Sequence, residues 1–553
     1  MSRRSAQSYK RHPVTEDYDV IVIGSGIGGL ASAAMLAKHG NRKVLVLERH
    51  YTPGGYTHVF HRPGYEWDVG VHYVGDVAPG SGVRRIFDDI SDGRIEWADM
   101  GPVYDRVIID GDVYDLPKGR RNLRDMLVSR FPAEEAAIDG YFEAVRSAVS
   151  ASMPFHAAKT LPGPIQAVSG PVLQRNFSRW ADRTTREVLE ELTDDQRLIA
   201  VLTAQFGDYG LPPAESSFAM HALVASHYFR GGYYPVGGSG VIVESIIPVI
   251  ERAGGLVLIN AEVAEVVVED GRAVGVRMAA DGAVIRAPII ISDAGVHNTF
   301  TELLPRDVAE GAGMLANLAE VSPSLGHLCL YLGFEESAEA LELPKHNLWI
   351  YPSEDYEQTL RDSWADPDAP LPMVYVSFPA AKDPDFARRH PGHATVDIIT
   401  AAPYEWFEPW EGSRWKKRDA GYEAFKASLA DRMLEALFEQ MPQLRGKVAF
   451  SEISTPLTTA HFAGYSRGEL YGLDHTPQRF RAGFLKPTTP IPGLYLTGQD
   501  IVTCGVAGAL FGGVLTATTL LRGTLMTTMA LTAGRRTVRS TVRRARAAVP
   551  GIG

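Results

Sequence analysis

Sulfur is scarce in this chain: 553 residues contain two cysteines, Cys329 and Cys504. Two thiols cannot build a disulfide framework, and neither stands at metal-ligand spacing from a partner, which predicts no metal site and a reducing, cytoplasmic setting. Long apolar runs are missing too. No charge-free run of 18 or more apolar residues stands apart from the motifs below, so a membrane-spanning helix is not expected. The opening MSRRSAQSYKRHP has no apolar centre and does not read as a secretory leader. The chain carries a formal charge of −11, and no nucleic-acid partner is expected. Positive charge concentrates at one end, where seven arginines follow residue 520 without a lysine, aspartate or glutamate. The bulk, 45% hydrophobic and 22% charged, is that of a globular chain with room for two or more cores.

What is present is a nucleotide fingerprint. Residues 19–23, DVIVI, form a β-branched run without alternation, as in a parallel strand covered on both faces. The run meets Gly24, Gly26 and Gly29 in G-x-G-x-x-G spacing, and a second strand over 43–47 ends on Glu48. In such a unit Gly24 permits the tight turn. Gly26 lets a pyrophosphate approach the helix N-terminus, Gly29 lets helix and strand pack, and Glu48 accepts from a ribose hydroxyl. NAD and FAD both use this unit, so the glycines alone leave the nucleotide open.

Arg49 and the Gly54-Gly55 pair follow the acid, and two distant stretches complete a pattern: a strand pair around Val263 leading to residues 289–295, IIISDAG, and residues 493–500, GLYLTGQD. This arrangement resembles the FAD-binding domain of the amine oxidase and phytoene desaturase superfamily. The resemblance implies FAD, held by Gly24, Gly26, Gly29, Glu48, Arg49, Gly54, Gly55, Val263, Gly498 and Asp500. DVGVHYVG (68–75), SFAMHA (217–222), YYPVGGS (233–239), YGLDH (471–475) and TGQDIVTCG (497–505) narrow it to the retinol saturase branch, over about residues 17–522. That implies an α/β fold: a Rossmann-like FAD-binding domain assembled from residues 17–90, 225–300 and 485–522, with an inserted α+β substrate domain (91–224 and 301–484) and a basic tail (523–553). A further G-x-x-G at 237–240 lacks a leading strand and a ribose acid, and reads as a helix-starting turn near the flavin rather than a second nucleotide site.

The branch implies chemistry at a carbon–carbon double bond of a hydrophobic polyene, retinoid or carotenoid in kind. Saturation by hydride plus a proton is the favoured direction, desaturation and redox-neutral isomerisation are the alternatives, and the electron donor comes from outside the chain. A non-catalytic prenyl or lipid carrier on the same fold is the remote rival. A protein acid must supply the proton. His72 and Tyr73, expected at the end of a strand beginning at Asp68, are the first candidates, and Asp474 with His475 beside Tyr471 are the rivals. His221 and His227 read as cavity or core residues. Cys504 reads as a small residue at a helix start, not a redox thiol. Residues 152–175, with four prolines, read as a surface loop or a mobile lid for lipid entry, and the tryptophans at 406, 410 and 415 as core packing rather than a polyene wall. In the tail, Val538, Val542, Ala545 and Val549 share one helical face among arginines, which predicts a peripheral contact with an anionic membrane.

Overall fold

Six parallel strands make the sheet that the fingerprint opens. Their spatial order is Gln7–Ser8, Leu256–Ile259, Val44–Leu47, Val20–Ile23, Ile289–Ser292 and Leu494–Leu496, in a computed structural model that describes residues 6–161, 170 and 174–521. Val20–Ile23 and Val44–Leu47 are buried at every position, which explains their lack of alternation. The first edge strand, Gln7–Ser8, precedes residue 17.

Helix Ile27–Gly40 follows the glycine turn and is buried from Ile27 through Ala37. It packs against helices Gly505–Leu520 and Gly240–Glu251. A helix buried all round must be narrow, and its Gly and Ala residues supply that: a Cβ on Gly513 would stand 2.6 Å from both Ala31 Cβ and the Gly28 carbonyl. Asn41, left-handed at φ 50°, ends the helix with its N–H on the Leu36 carbonyl. On the sheet's other side, Val263–Glu269, Arg272–Met278 and Val284–Arg286 form an antiparallel triplet.

A second, seven-stranded sheet builds the other half, in the order Val448–Ser454, His327–Phe334, Ala394–Ala401, Val374–Ser377, Asn347–Tyr351, Val103–Ile109 and Asp112–Pro117. All its pairings are antiparallel except Asn347–Tyr351 on Val103–Ile109. The hairpin Val59–Arg62 and Tyr65–Asp68 carries the chain from the nucleotide sheet to this one. There Trp67 is fully buried and donates from Nε1 to the Leu332 carbonyl at 2.9 Å.

Three expectations change. Asp68 ends its strand instead of beginning one, so His72 and Tyr73 lie in irregular backbone; two buried bonds at Asp68, from the Ser239 N–H at 2.9 Å and from the Tyr234 hydroxyl, fix the turn. Residues 152–158 belong to the helix Glu135–Ala158, with Pro154 inside it, and are not loop; residues 162–169 and 171–173 lie outside the described residues, as does the basic tail. The tryptophans divide: Trp406 and Trp410 pack on the core near Phe425, whereas Trp415 stacks on His461 and borders the cavity.

Candidate active site

A single cavity of about 1200 Å³ runs from the glycine turn of the parallel sheet to the underside of the seven-stranded sheet. That exceeds the roughly 300–1,000 Å³ typical of a site for one small ligand, and leaves space for a dinucleotide and a second molecule.

The nucleotide end is built by glycines. Gly24 (φ 95°) and Gly54 (φ 125°) adopt backbone that side chains resist. The helix Ile27–Gly40 has no side-chain cap of its own; Asp293, at the end of the neighbouring strand, accepts from the backbone N–H groups of Gly26 and Gly29 instead. Burial pushes the Asp293 carboxyl up to about 7. Glu48 is buried, with Oε2 accepting from Ser25 N (2.9 Å) and Oγ (2.6 Å) and Oε1 from His50 N (2.8 Å). Ser25 Oγ in turn accepts from Gly54 N at 2.9 Å. One serine thus ties the acid that follows the second strand to the Gly-Gly pair. A cradle this narrow, floored by glycine backbone at a helix N-terminus and ending on an acid, fits a dinucleotide diphosphate and its ribose.

Gly24, Gly26, Glu48, Arg49, Gly54, Gly55, Val263, Gly498 and Asp500 border this end of the cavity. Gly29 does not: it stands behind, where a Cβ would lie 2.7 Å from the Gly24 carbonyl, and serves packing. Asp500 accepts from Val296 N at Oδ2 (2.8 Å) and from Leu473 N at Oδ1 (3.2 Å), so part of its work is to clamp two chain segments. Arg49 donates to the His461 carbonyl at 3.1 Å.

The far end is aromatic, with Phe60, Tyr331, Trp349, Tyr375 and Tyr471 around Met373 and Ile399. Three groups on this wall hold ring nitrogens without a hydrogen-bond partner: both nitrogens of His72, Nδ1 of His327 and Nε1 of Trp349. Burial, aided by the Lys382 charge, pushes His72 down to about 3, and its imidazole is neutral. Asp397 Oδ2 lies 3.6 Å from His72 Nδ1. Burial pushes Asp397 up to about 8.

Tyr73 turns away from the cavity. Its ring stacks on Tyr228 at 4.2 Å, and its hydroxyl oxygen lies 3.0 Å from Asp105 Oδ2 and 3.0 Å from Asp208 Oδ2; Asp208 itself borders the cavity. Asp474 and His475 do not border it, although Tyr471 does; His475 Nε2 accepts from Cys504 N at 2.9 Å. His221 and His227 are core residues, the former between the Tyr141 and Tyr209 hydroxyls and the latter accepting from Gly75 N. Burial holds the Cys504 thiol far above its usual range, so a thiolate is not available there. Asp105, Asp208, Lys382 and Asp397 escaped the sequence reading. The signal for two of them was visible: Asp105 and Asp397 each interrupt an apolar strand, where a buried carboxyl needs a reason.

The fold and the glycine cradle define a class first: dinucleotide-binding proteins of the amine oxidase architecture. Residues 22–90 match the family described as NAD(P)-binding Rossmann-like domain, and the chain superposes on cyclohexylamine oxidase from Brevibacterium oxydans with a TM-score of 0.57 at 16% identity, covering 94% of this chain and 99% of that one. The sequence then places it more narrowly. All-trans-retinol 13,14-reductase of Homo sapiens is 38% identical over 537 residues, 94% of this chain and 88% of that one. An inactive all-trans-retinol 13,14-reductase of Danio rerio is 34% identical over 93% of this chain and 87% of its own length. The chain belongs to the all-trans-retinol 13,14-reductase family.

Proposed function

We propose that this protein is an FAD-dependent oxidoreductase that saturates one carbon–carbon double bond of a conjugated, hydrophobic polyene of retinoid kind. The observation that carries the reading is the continuity of the cavity: a dinucleotide cradle at one end opens, without a wall between, onto an aromatic slot at the other. FAD bound in the cradle would supply hydride. Gly26, Gly54, Gly55 and Gly498 would hold its diphosphate, Glu48 a ribose, and Val263 the adenine side. The slot would exclude water and hold a flat chain between Trp349, Tyr375 and Tyr471. His72 and His327, neutral and unpartnered, would orient a terminal hydroxyl by a hydrogen bond, which suits a polyene alcohol better than a hydrocarbon.

Among the described residues no helix is long and apolar enough to cross a membrane, and a lipid-borne substrate must still be reached. The arginines after residue 520 would supply a reversible contact with an anionic leaflet, each contributing about 1 kcal/mol. The test of the enzymatic reading is anaerobic incubation of the FAD-loaded, dithionite-reduced protein with retinol, a C40 carotene and a polyunsaturated lipid. Flavin reoxidation with loss of one conjugated double bond is the expected result with retinol. A protein that binds no flavin, or whose reduced flavin persists with every polyene, refutes it.

A further inference from the structure

The Tyr73 hydroxyl has one proton to donate and lies 3.0 Å from a carboxyl oxygen on each of two aspartates, the buried Asp105 and the partly buried Asp208. It satisfies one of them. The other, were it ionised, would press a carboxylate lone pair against the phenol oxygen, with a second carboxylate on the far side of that oxygen. Like charges at such a spacing do not both ionise in a buried site. One of the two carboxyls therefore carries a proton and donates it to Tyr73.

The surroundings decide which. Asp105 has the environment of an anion: Oδ1 accepts from Asn347 Nδ2 at 2.8 Å and Oδ2 from Gln205 Nε2 at 2.8 Å, in addition to Tyr73. The strand register sets Asn347 directly opposite Asp105, and Lys382 donates to the Asn347 carbonyl oxygen from behind. Asp208 has less support: the hydroxyls of Tyr73 and Tyr228 oppose its burial, but no amide donor and no cation does. It also faces the charge of Asp105. The Lys382 ammonium is committed to Asn347, Ser377 and the His72 carbonyl. Burial, with the Asp105 charge added, pushes Asp208 up to about 8, whereas Asp105, with three side-chain donors and Lys382 opposing its burial, rises only to about 6.

Resting on the reading above, we infer that Asp208 is the proton donor for the double bond, held as the neutral acid on the cavity wall by the Asp105–Tyr73 pair behind it. The chain of bonds runs from Asp208 O–H to the Tyr73 oxygen, and from Tyr73 O–H to the Asp105 carboxylate. With FAD bound in the cradle, the reduced cofactor would supply a hydride to one carbon of the double bond and the π pair would move to the other. The Asp208 O–H turns from Tyr73 to that second carbon and its proton forms the new C–H bond. The alkene would gain two electrons and two hydrogens, the hydride at the expense of the reduced cofactor and the proton from Asp208, which would be left as a carboxylate to be recharged from water when product leaves. His72 is excluded as this acid, since a neutral imidazole that gave up its proton would become an imidazolate. Tyr73 and Asp105 are positioning residues.

The experiment compares infrared spectra and turnover of the FAD-loaded wild type, Asp208→Asn and Tyr73→Phe near neutral pH. Beside the bands of other protonated carboxyls such as Asp397, one carboxylic-acid carbonyl band of wild type should be missing from Asp208→Asn and shifted in frequency in Tyr73→Phe, which keeps the acid but removes its acceptor. Flavin content should be equal in all three, and polyene saturation by Asp208→Asn should fall about 10²-fold or more. No band lost in Asp208→Asn, or turnover by it within a few-fold of wild type, overturns the assignment. Should Asp208→Asn not fold, a Tyr73→Phe spectrum in which no acid band has shifted from its wild-type frequency overturns it. The infrared arm needs no substrate: a wild type that saturates no polyene refutes the proposed function and with it the use of the acid, while the location of the proton is still decided by the spectra.

Discussion

Gly28 lies inside the fingerprint without belonging to its triplet, and its replacement by alanine should damage the protein more than the same change at Gly26. A Cβ at Gly28 would stand 2.5 Å from Gly498 Cα, 2.7 Å from Gly498 N and 2.8 Å from Asp293 Oδ1, where ordinary contact begins near 3.4 Å. The Gly498 backbone would have to retreat by about 0.9 Å. It has little room to retreat, because Gly512 of the last described helix stands so near that a Cβ there would lie 2.3 Å from the Gly498 carbonyl oxygen. At Gly26 a new Cβ meets only the Asp293 carboxyl, with Oδ2 at 2.5 Å, a side-chain end that can give way where backbone cannot, although doing so weakens its hydrogen bonds from the Gly26 and Gly29 N–H groups. Alanine is favoured over glycine inside a helix by about 1 kcal/mol, against a cost of about 1–3 kcal/mol for overpacking a core. The backbone clash belongs at the upper end, so Gly28→Ala should lose about 1–2 kcal/mol net in the flavin-free protein, and Gly26→Ala much less. Both should lose flavin, since Gly498 and Gly26 flank the same cradle. Thermal midpoints of the flavin-free proteins, with the flavin-to-protein absorbance ratio after reconstitution, measure the two effects separately. A Gly28→Ala protein that melts at or above Gly26→Ala would refute the reasoning.

Asp397 holds a proton in the fold that the unfolded chain releases above about pH 4, so its native pKa of about 8 makes wild-type stability fall as pH rises between those values, by up to about 1.4 kcal/mol per pH unit. Asp397→Asn lacks that proton and should gain stability relative to wild type as denaturant midpoints are compared from pH 5 to pH 8; a constant difference across that range refutes it. Truncation after residue 522 should abolish flotation with anionic liposomes, as should high salt acting on the full chain; a truncated chain that floats equally well removes the tail from membrane contact.

The nucleotide cradle was legible because it is local. Strand, tight turn, helix and second strand occupy residues 20–47, Glu48 follows at the end, and a Gly-x-Gly-x-x-Gly turn between two apolar runs has one good packing solution. The distant 289–295 and 493–500 stretches could be joined to it only through resemblance, since nothing in either names its neighbour; the sheet order, with Ile289–Ser292 between Val20–Ile23 and Leu494–Leu496, is what brings Asp293 and Gly498 against Gly26 and Gly28. Tyr73 shows the other limit. Its sequence neighbourhood, ending a motif that leads toward the cofactor, suggested a group facing the reaction, but backbone without regular period gives no rule for where a side chain points.

The sequence by itself therefore determined the dinucleotide fold, the family, and an acid and glycines in their places, because those depend on short-range spacing and on apolar runs that must be buried. Only the tertiary structure decided where protons reside. Tyr73, Asp105, Asp208, Asn347 and Lys382 come from five separate stretches of chain, and each polar atom among them is charged or neutral according to which partner lies within about 3 Å in a water-poor interior. That pairing is fixed by the register of Asn347–Tyr351 on Val103–Ile109 and by the turn at Asp68, and no residue in the set carries it alone.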